Sequence, residues 1–124
     1  MSFHLTLAGA VCAALAIAGP ARSENAPLFP ASALRDAIAG ETFGHRGIRR
    51  SGAVAEAFAE GYIAALSDIA EERGTWCGAS LILPHEVTAR IYEYLNRMGA
   101  DAERMPADAA TFAIFEAIAP CKPE

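Results

Sequence analysis

The sequence predicts an all-α fold: a small single-domain bundle of about four helices, stapled by one disulfide. Three observations predict it. Alanine, the strongest helix former, is abundant beyond the first two dozen residues. Large apolar residues recur there at spacings of three and four, while the repeated Val, Ile, Thr alternation of strands is absent. Cys77 and Cys121 remain as a pair once an N-terminal leader is removed.

That leader is the first element. Leu5 to Ala18 is almost unbroken apolar sequence, ended by Gly19-Pro20. At about 14 residues it suits the apolar region of a secretory signal peptide, whereas a membrane-spanning helix needs roughly 20. Ala21 and Ser23 supply small residues where signal peptidase reads, so residues 1–23 are assigned as signal peptide and 24–124 as the mature domain. The region ahead of the apolar run has His4 and no Lys or Arg, and the competing reading is a buried or interfacial N-terminal helix. Cys12 lies inside the run, where a lipoprotein anchor does not fit.

The mature chain, about 101 residues, is one domain with a single modest core. The whole chain has 15 acidic and 10 basic residues and a formal charge of −5. Only Arg22 among these leaves with the leader, which makes the mature charge −6. Such a chain has no electrostatic footprint for nucleic acid or anionic lipid, so neither nucleic acid nor, after signal cleavage, a membrane is an expected partner. In an oxidising compartment two cysteines usually pair. A Cys77–Cys121 bond closes a loop of about 45 residues, for which chain entropy gives roughly 4 kcal/mol. The alternatives are a reactive thiol or metal ligation, although neither cysteine has a His at ligand spacing.

The mature chain then reads as follows. Glu24 to Phe29 is a loose tail. Pro30 opens a helix with Ala31, Leu34 and Ile38 on one face, and Gly40 ends it. Glu41 to Gly52 is a basic, glycine-broken connector carrying His45, Arg46, Arg49 and Arg50. From Gly52 to Glu72 a long helix is expected to bury Val54, Phe58, Tyr62, Leu66 and Ile69. Gly61 within it marks either a close helix–helix approach or a tolerated weakness. The connector from Glu72 to Pro84 holds Trp76 and Cys77, and its run Ala79 to Leu83 reads as extended because Pro84 biases Leu83 away from helix. A third helix starts at His85 or just after Thr88, buries Ile91, Leu95 and Met98, and stops at Gly99. Asp101, Glu103 and Arg104 form a charged connector. The last helix, Pro106 to Ala119, turns Phe112, Phe115 and Ile118 inward and is stopped by Pro120.

No catalytic, cofactor or metal constellation emerges, so the chain is not read as an enzyme. His85-Glu86 opens no zinc-protease motif, because Ala89 stands where its second His would be. His45 and His85 are far apart in sequence. Glu71-Glu72 continues the solvated end of a helix, and Ser80 has no oriented base.

One ordered set of short segments carries a resemblance. It comprises Gly61-Tyr62-Ile63 with Asp68, Cys77, Ile82-Leu83-Pro84, Val87-Thr88 and Tyr94-Leu95. It continues through Met105-Pro106-Ala107 and Phe115-Glu116-Ala117-Ile118 to Pro120-Cys121. In order and spacing this resembles the Tai/Rap-type periplasmic immunity proteins of type VI secretion (type VI amidase immunity). Members often carry another cysteine just before the Gly-Tyr, where this chain has Phe58-Ala59-Glu60, and the segment from Arg46 to Arg50 has no counterpart in the pattern.

The resemblance implies a periplasmic helical protein that occludes the active site of a cognate amidase-type toxin, with a homodimer as a second expected association. The expected partner-binding residues are Trp76, Arg97, Asp101, Glu103 and Arg104, most of them in the Met98 to Met105 connector. Their competing reading is solvated loop charges and a core tryptophan. The competing function is an envelope housekeeping or holdase-like stress protein of the same small helical fold, with no toxin partner.

Intact-mass measurement of the exported protein is expected to show a chain starting at Glu24. A chain that retains Leu5 to Ala18 would make that segment a structural helix and overturn the signal-peptide assignment.

Overall fold

The computed structural model describes residues 25–122, so the leader and its cleavage site lie outside the described residues. In chain order the elements are α1 (Ala31–Ile38), β1 (Phe43–His45), β2 (Ile48–Arg50), α2 (Gly52–Glu72), α3 (Pro84–Met98), a 3-10 helix (Gly99–Glu103) and α4 (Ala107–Ile118). The domain is therefore mostly helical with a small two-stranded sheet, not purely all-α as the sequence suggested.

The sheet is the correction to the Glu41–Gly52 connector. β1 and β2 pair antiparallel, with Phe43 opposite Arg50 and His45 opposite Ile48. The turn residues Arg46 and Gly47 have φ of 51° and 76°. Two successive positive φ values make the two-residue turn whose twist suits a hairpin. Tertiary packing replaces strand propensity here. Phe43 and His45 pack on Phe29 and Phe58, and the Arg50 guanidinium lies 4.9 Å above the Phe58 ring.

The shortest α-helix occupies the centre. α1 touches α2, α3, α4, β1 and the 3-10 helix, and Ala31, Leu34 and Ala37 are fully buried. Its N-terminus has no side-chain cap, and neither has that of α4. The two ends serve each other instead: Ala31 N–H donates to Met105 C=O at 2.8 Å, and Ala107 N–H donates to Phe29 C=O at 3.0 Å. Each bond satisfies a donor that a helix end otherwise leaves open. The tail before α1 is thereby anchored, with Phe29 buried.

α2 has the expected limits, but its buried seam is Ala55, Ala59, Ile63, Leu66 and Ala70. Val54 is 64% exposed, Ile69 is also exposed, and Phe58 and Tyr62 are half-buried at the side. The expected stripe followed the bulkiest residues, whereas three of the five buried positions are alanines. Gly61 is exposed, and a Cβ there would meet nothing within 4 Å, so no close helix contact explains it.

Ala79 to Leu83 is a turn rather than an extended run, because Leu81 and Ile82 N–H both donate to Gly78 C=O. Only Leu83, at φ −69° and ψ 146°, takes the extended conformation that Pro84 imposes. α3 then starts at Pro84, and the Glu86 carboxylate accepts from Leu83 N–H at 3.2 Å. Val87, Ile91 and Leu95 form its buried face, with Met98 half-buried, and Gly99 ends it at φ 56°. In α4, Phe115 is buried as expected and Phe112 and Ile118 are half-buried; Ala107, Ala110, Thr111 and Ile114 complete the inner face. The buried Thr111 hydroxyl donates to Ala107 C=O at 2.7 Å.

Cys77 and Cys121 form a disulfide, with Cα atoms 5.0 Å apart and a separation of 44 positions in sequence. Beside it Cys77 N–H donates to Ala119 C=O at 3.0 Å, and Trp76 stacks on Phe115 at 4.7 Å between ring centroids. The connector after α2 is thus fastened to the end of α4. Replacing Cys77 and Cys121 with Ser is expected to lower unfolding stability by about 2–4 kcal/mol in urea titration. An unchanged midpoint would mean that the packing alone holds this connector.

Candidate functional site

Four of the five expected partner-binding residues fall on one segment at the C-terminal end of α3. Arg97 lies in the last turn, its guanidinium 5.7 Å from the Tyr94 ring centre. Asp101 and Glu103 sit on the exposed side of the 3-10 helix, and Arg104 follows it. Arg104 donates to the Asp101 carboxylate at 2.6 Å, with both side chains more than two-thirds exposed. An ion pair this exposed adds little to stability.

The segment is held by its backbone. Arg104 and Met105 N–H both donate to Asp101 C=O, Met105 C=O accepts from α1, and Ala102 is fully buried beneath. Asp101 and Arg104 rim a shallow groove of about 620 Å³ between α3 and α4, into which Tyr94, Met98 and Met105 also face. Tyr94 is 38% exposed and Met105 39%. Arg97 and Glu103 stand outside the groove on the same end of the domain. The sequence bounds this segment with Met98, expected in the buried face of the third helix, and Met105, which has no expected role; Met98 is half-buried and faces the groove. Tyr94 flanks the Ile91–Leu95 face in the sequence and reads there as core or as pocket lining; the structure puts it on the surface, in the groove.

Trp76 is placed elsewhere. It is 3% exposed and stacked in the core, and its indole Nε1 is buried without a hydrogen-bond partner among the described residues. Gly78 covers the indole so closely that a Cβ at that position would collide with the ring. Trp76 reaches the surface only as floor of a second groove, of about 670 Å³, between α2 and the start of α3. Ile63 and Ile82 share that floor, and Glu60, Asp68 and His85 are on its walls.

Titratable groups with displaced pKa values lie in a third region, where the hairpin covers α2. The half-buried His45 ring sits 4.9 Å from Phe29, with Nδ1 buried and unpaired among the described residues. Desolvation lowers its pKa below 6.5, and the charges of Arg46 and Arg50 lower it further. Tyr62 is pushed up to about 12, by burial first and then by the carboxylate of Asp108. His45 belongs to the hairpin and His85 to α3, and no group of three His, Cys, Asp or Glu side chains among the described residues could hold a metal ion. Glu71 and Glu72 are exposed at the end of α2, and Ser80 is exposed in the turn after it.

No known family model matches the chain, and no curated protein matches it either. No helix among the described residues is long and apolar enough to cross a membrane.

The lowered pKa of His45 gives a pH dependence of definite sign. The unfolded state binds this proton more tightly, so the contribution of neutral His45 is present above about pH 6.5 and is lost as pH falls through the folded pKa. Urea midpoints are expected to fall between pH 7.5 and pH 5, and His45→Gln is expected to flatten that slope. An equal slope in the variant would place the dependence on other groups.

Proposed function

We propose that this protein acts in the periplasm as an immunity-type binder that neutralises a peptidoglycan amidase-type toxin by occluding its active site. The observation that carries this reading is the Met98–Met105 segment. With the last turns of α3 it lines a groove with Tyr94, Met98, Met105, Asp101 and Arg104, while Arg97 and Glu103 are exposed nearby, and its backbone is hydrogen-bonded to α1. Aromatic, Met and Arg side chains are the types enriched at protein interfaces. A surface already ordered loses less conformational entropy when it docks.

Two further features support it. The disulfide fits an oxidising compartment, as the leader sequence does. The ordered segments from Gly61 to Cys121 resemble the Tai/Rap-type pattern across α2, α3 and α4. Blocking a cleft needs shape and charge, and no catalytic group.

The test is stoichiometric inhibition. The disulfide-bonded protein is titrated against amidases encoded beside it, with peptidoglycan cleavage as readout. Inhibition is expected to saturate at one inhibitor chain per toxin. Met105→Asp is expected to weaken it at least about tenfold, which corresponds to about 1.4 kcal/mol at a central contact. Folded protein that binds none of these amidases would leave only a likeness of sequence pattern and overturn the reading.

A further inference from the structure

The groove over Trp76 is a surface separate from the one assigned above. It opens at the N-terminal end of α3, and the Met98–Met105 segment lies at the other end of that 15-residue helix, about 20 Å away along its axis. The floor is apolar: Ile63 and Trp76 are almost fully buried, and Ile82 is half-buried. The α2 wall carries two exposed carboxylates, Glu60 and Asp68. Among the described residues no Lys or Arg lines the groove, and His85 is the titratable group on the facing wall.

The two carboxylates are eight residues apart on one helix, a rise of about 12 Å. Midway between them is Ala64, whose small side chain leaves the floor open. An extended peptide matches this spacing. Its alternate side chains share a face, and residues i and i+4 stand about 13 Å apart.

We propose that this groove binds an extended basic segment of a partner protein, with the pattern basic–x–apolar–x–basic. The outer side chains pair with Glu60 and Asp68, and the central one covers Ile63, Trp76 and Ile82. Charge selects this occupant. The groove wall is acidic without a compensating base, and the chain as a whole carries a formal charge of −5. Long basic side chains suit such a wall because their methylene stems lie on apolar surface while their charged ends reach the carboxylates. An acidic segment meets like charge at both ends and is rejected.

Trp76 is the only tryptophan of the chain and lies in the floor, so its emission reports occupancy directly. The probe is a capped pentapeptide, Lys-Ser-Leu-Ser-Lys, titrated into the disulfide-bonded protein. A saturable change in Trp76 emission is expected. The double variant Glu60→Gln with Asp68→Asn is expected to weaken binding about tenfold, as the sum of two exposed ion pairs. Each single variant is expected to lose part of that. The peptide with Glu in place of both Lys is expected not to bind. Met105→Asp is expected to leave the peptide affinity unchanged, which separates this surface from the toxin-binding one. Both substituted carboxylates are exposed, and circular dichroism checks that the variants keep their helices. No saturable change with the Lys peptide, or equal affinity in the double variant, overturns the proposal.

Discussion

The structure depends most on the tie between the α2–α3 connector and the end of α4. Three interactions converge within two residues of the connector: the Cys77–Cys121 bond, the Cys77 N–H to Ala119 C=O hydrogen bond, and the Trp76–Phe115 stack. The connector has no regular secondary structure over most of its length, so little else compensates the entropy of ordering it. Once fastened, it fixes where Gly78 lies over the indole and where Pro84 starts α3. The disulfide acts mainly by shrinking the unfolded ensemble, while the stack and hydrogen bond act in the folded one. Together they turn a loose stretch into the floor and one wall of a groove.

The other end of the domain is organised by a different device. α1 is too short to persist by itself and is held by burial on several sides. Its first N–H group closes onto Met105, and α4 closes onto Phe29 in return. The surface that carries Tyr94, Met98 and Met105 is therefore connected to the central helix by one hydrogen bond of 2.8 Å. That bond and the burial of Ala102 tie the 3-10 helix to the core. Charges at this site are displayed on a frame whose stability does not come from them.

Most helix limits were legible in the sequence because they are written in backbone chemistry. Pro30 and Pro106 mark starts, Gly40 and Gly99 mark stops, and the structure places helix boundaries at or beside each of them, while α3 starts at Pro84, just ahead of the earlier of its two expected starts, His85. The connector charges Asp101, Glu103 and Arg104 were also legible as a surface cluster, since they interrupt the apolar spacing. The hairpin was not. Phe43, His45 and Arg50 have no strand alternation worth reading, and their pairing is stabilised by Phe29 and Phe58 from outside the segment. The Arg46–Gly47 turn was the one local signal, and Arg is an unusual residue for its first position.

The sequence by itself predicted a small, acidic, helical domain beyond the N-terminal apolar run, and it showed that Cys77 and Cys121 were available to close it. Local propensity, proline and glycine placement and residue counts are enough for that, because they act within a few residues or on the whole chain at once. Tertiary structure decided which face of α2 is inside. Bulk favoured Val54, Phe58, Tyr62 and Ile69, but the neighbouring elements cover Ala55, Ala59 and Ala70, and only their placement reveals which face is buried. It also decided that Trp76 is a groove floor and that Asp101 and Arg104 share a rim with Met105. Those neighbours are distant in sequence or separated by a turn whose geometry depends on α1, so no spacing rule could have joined them.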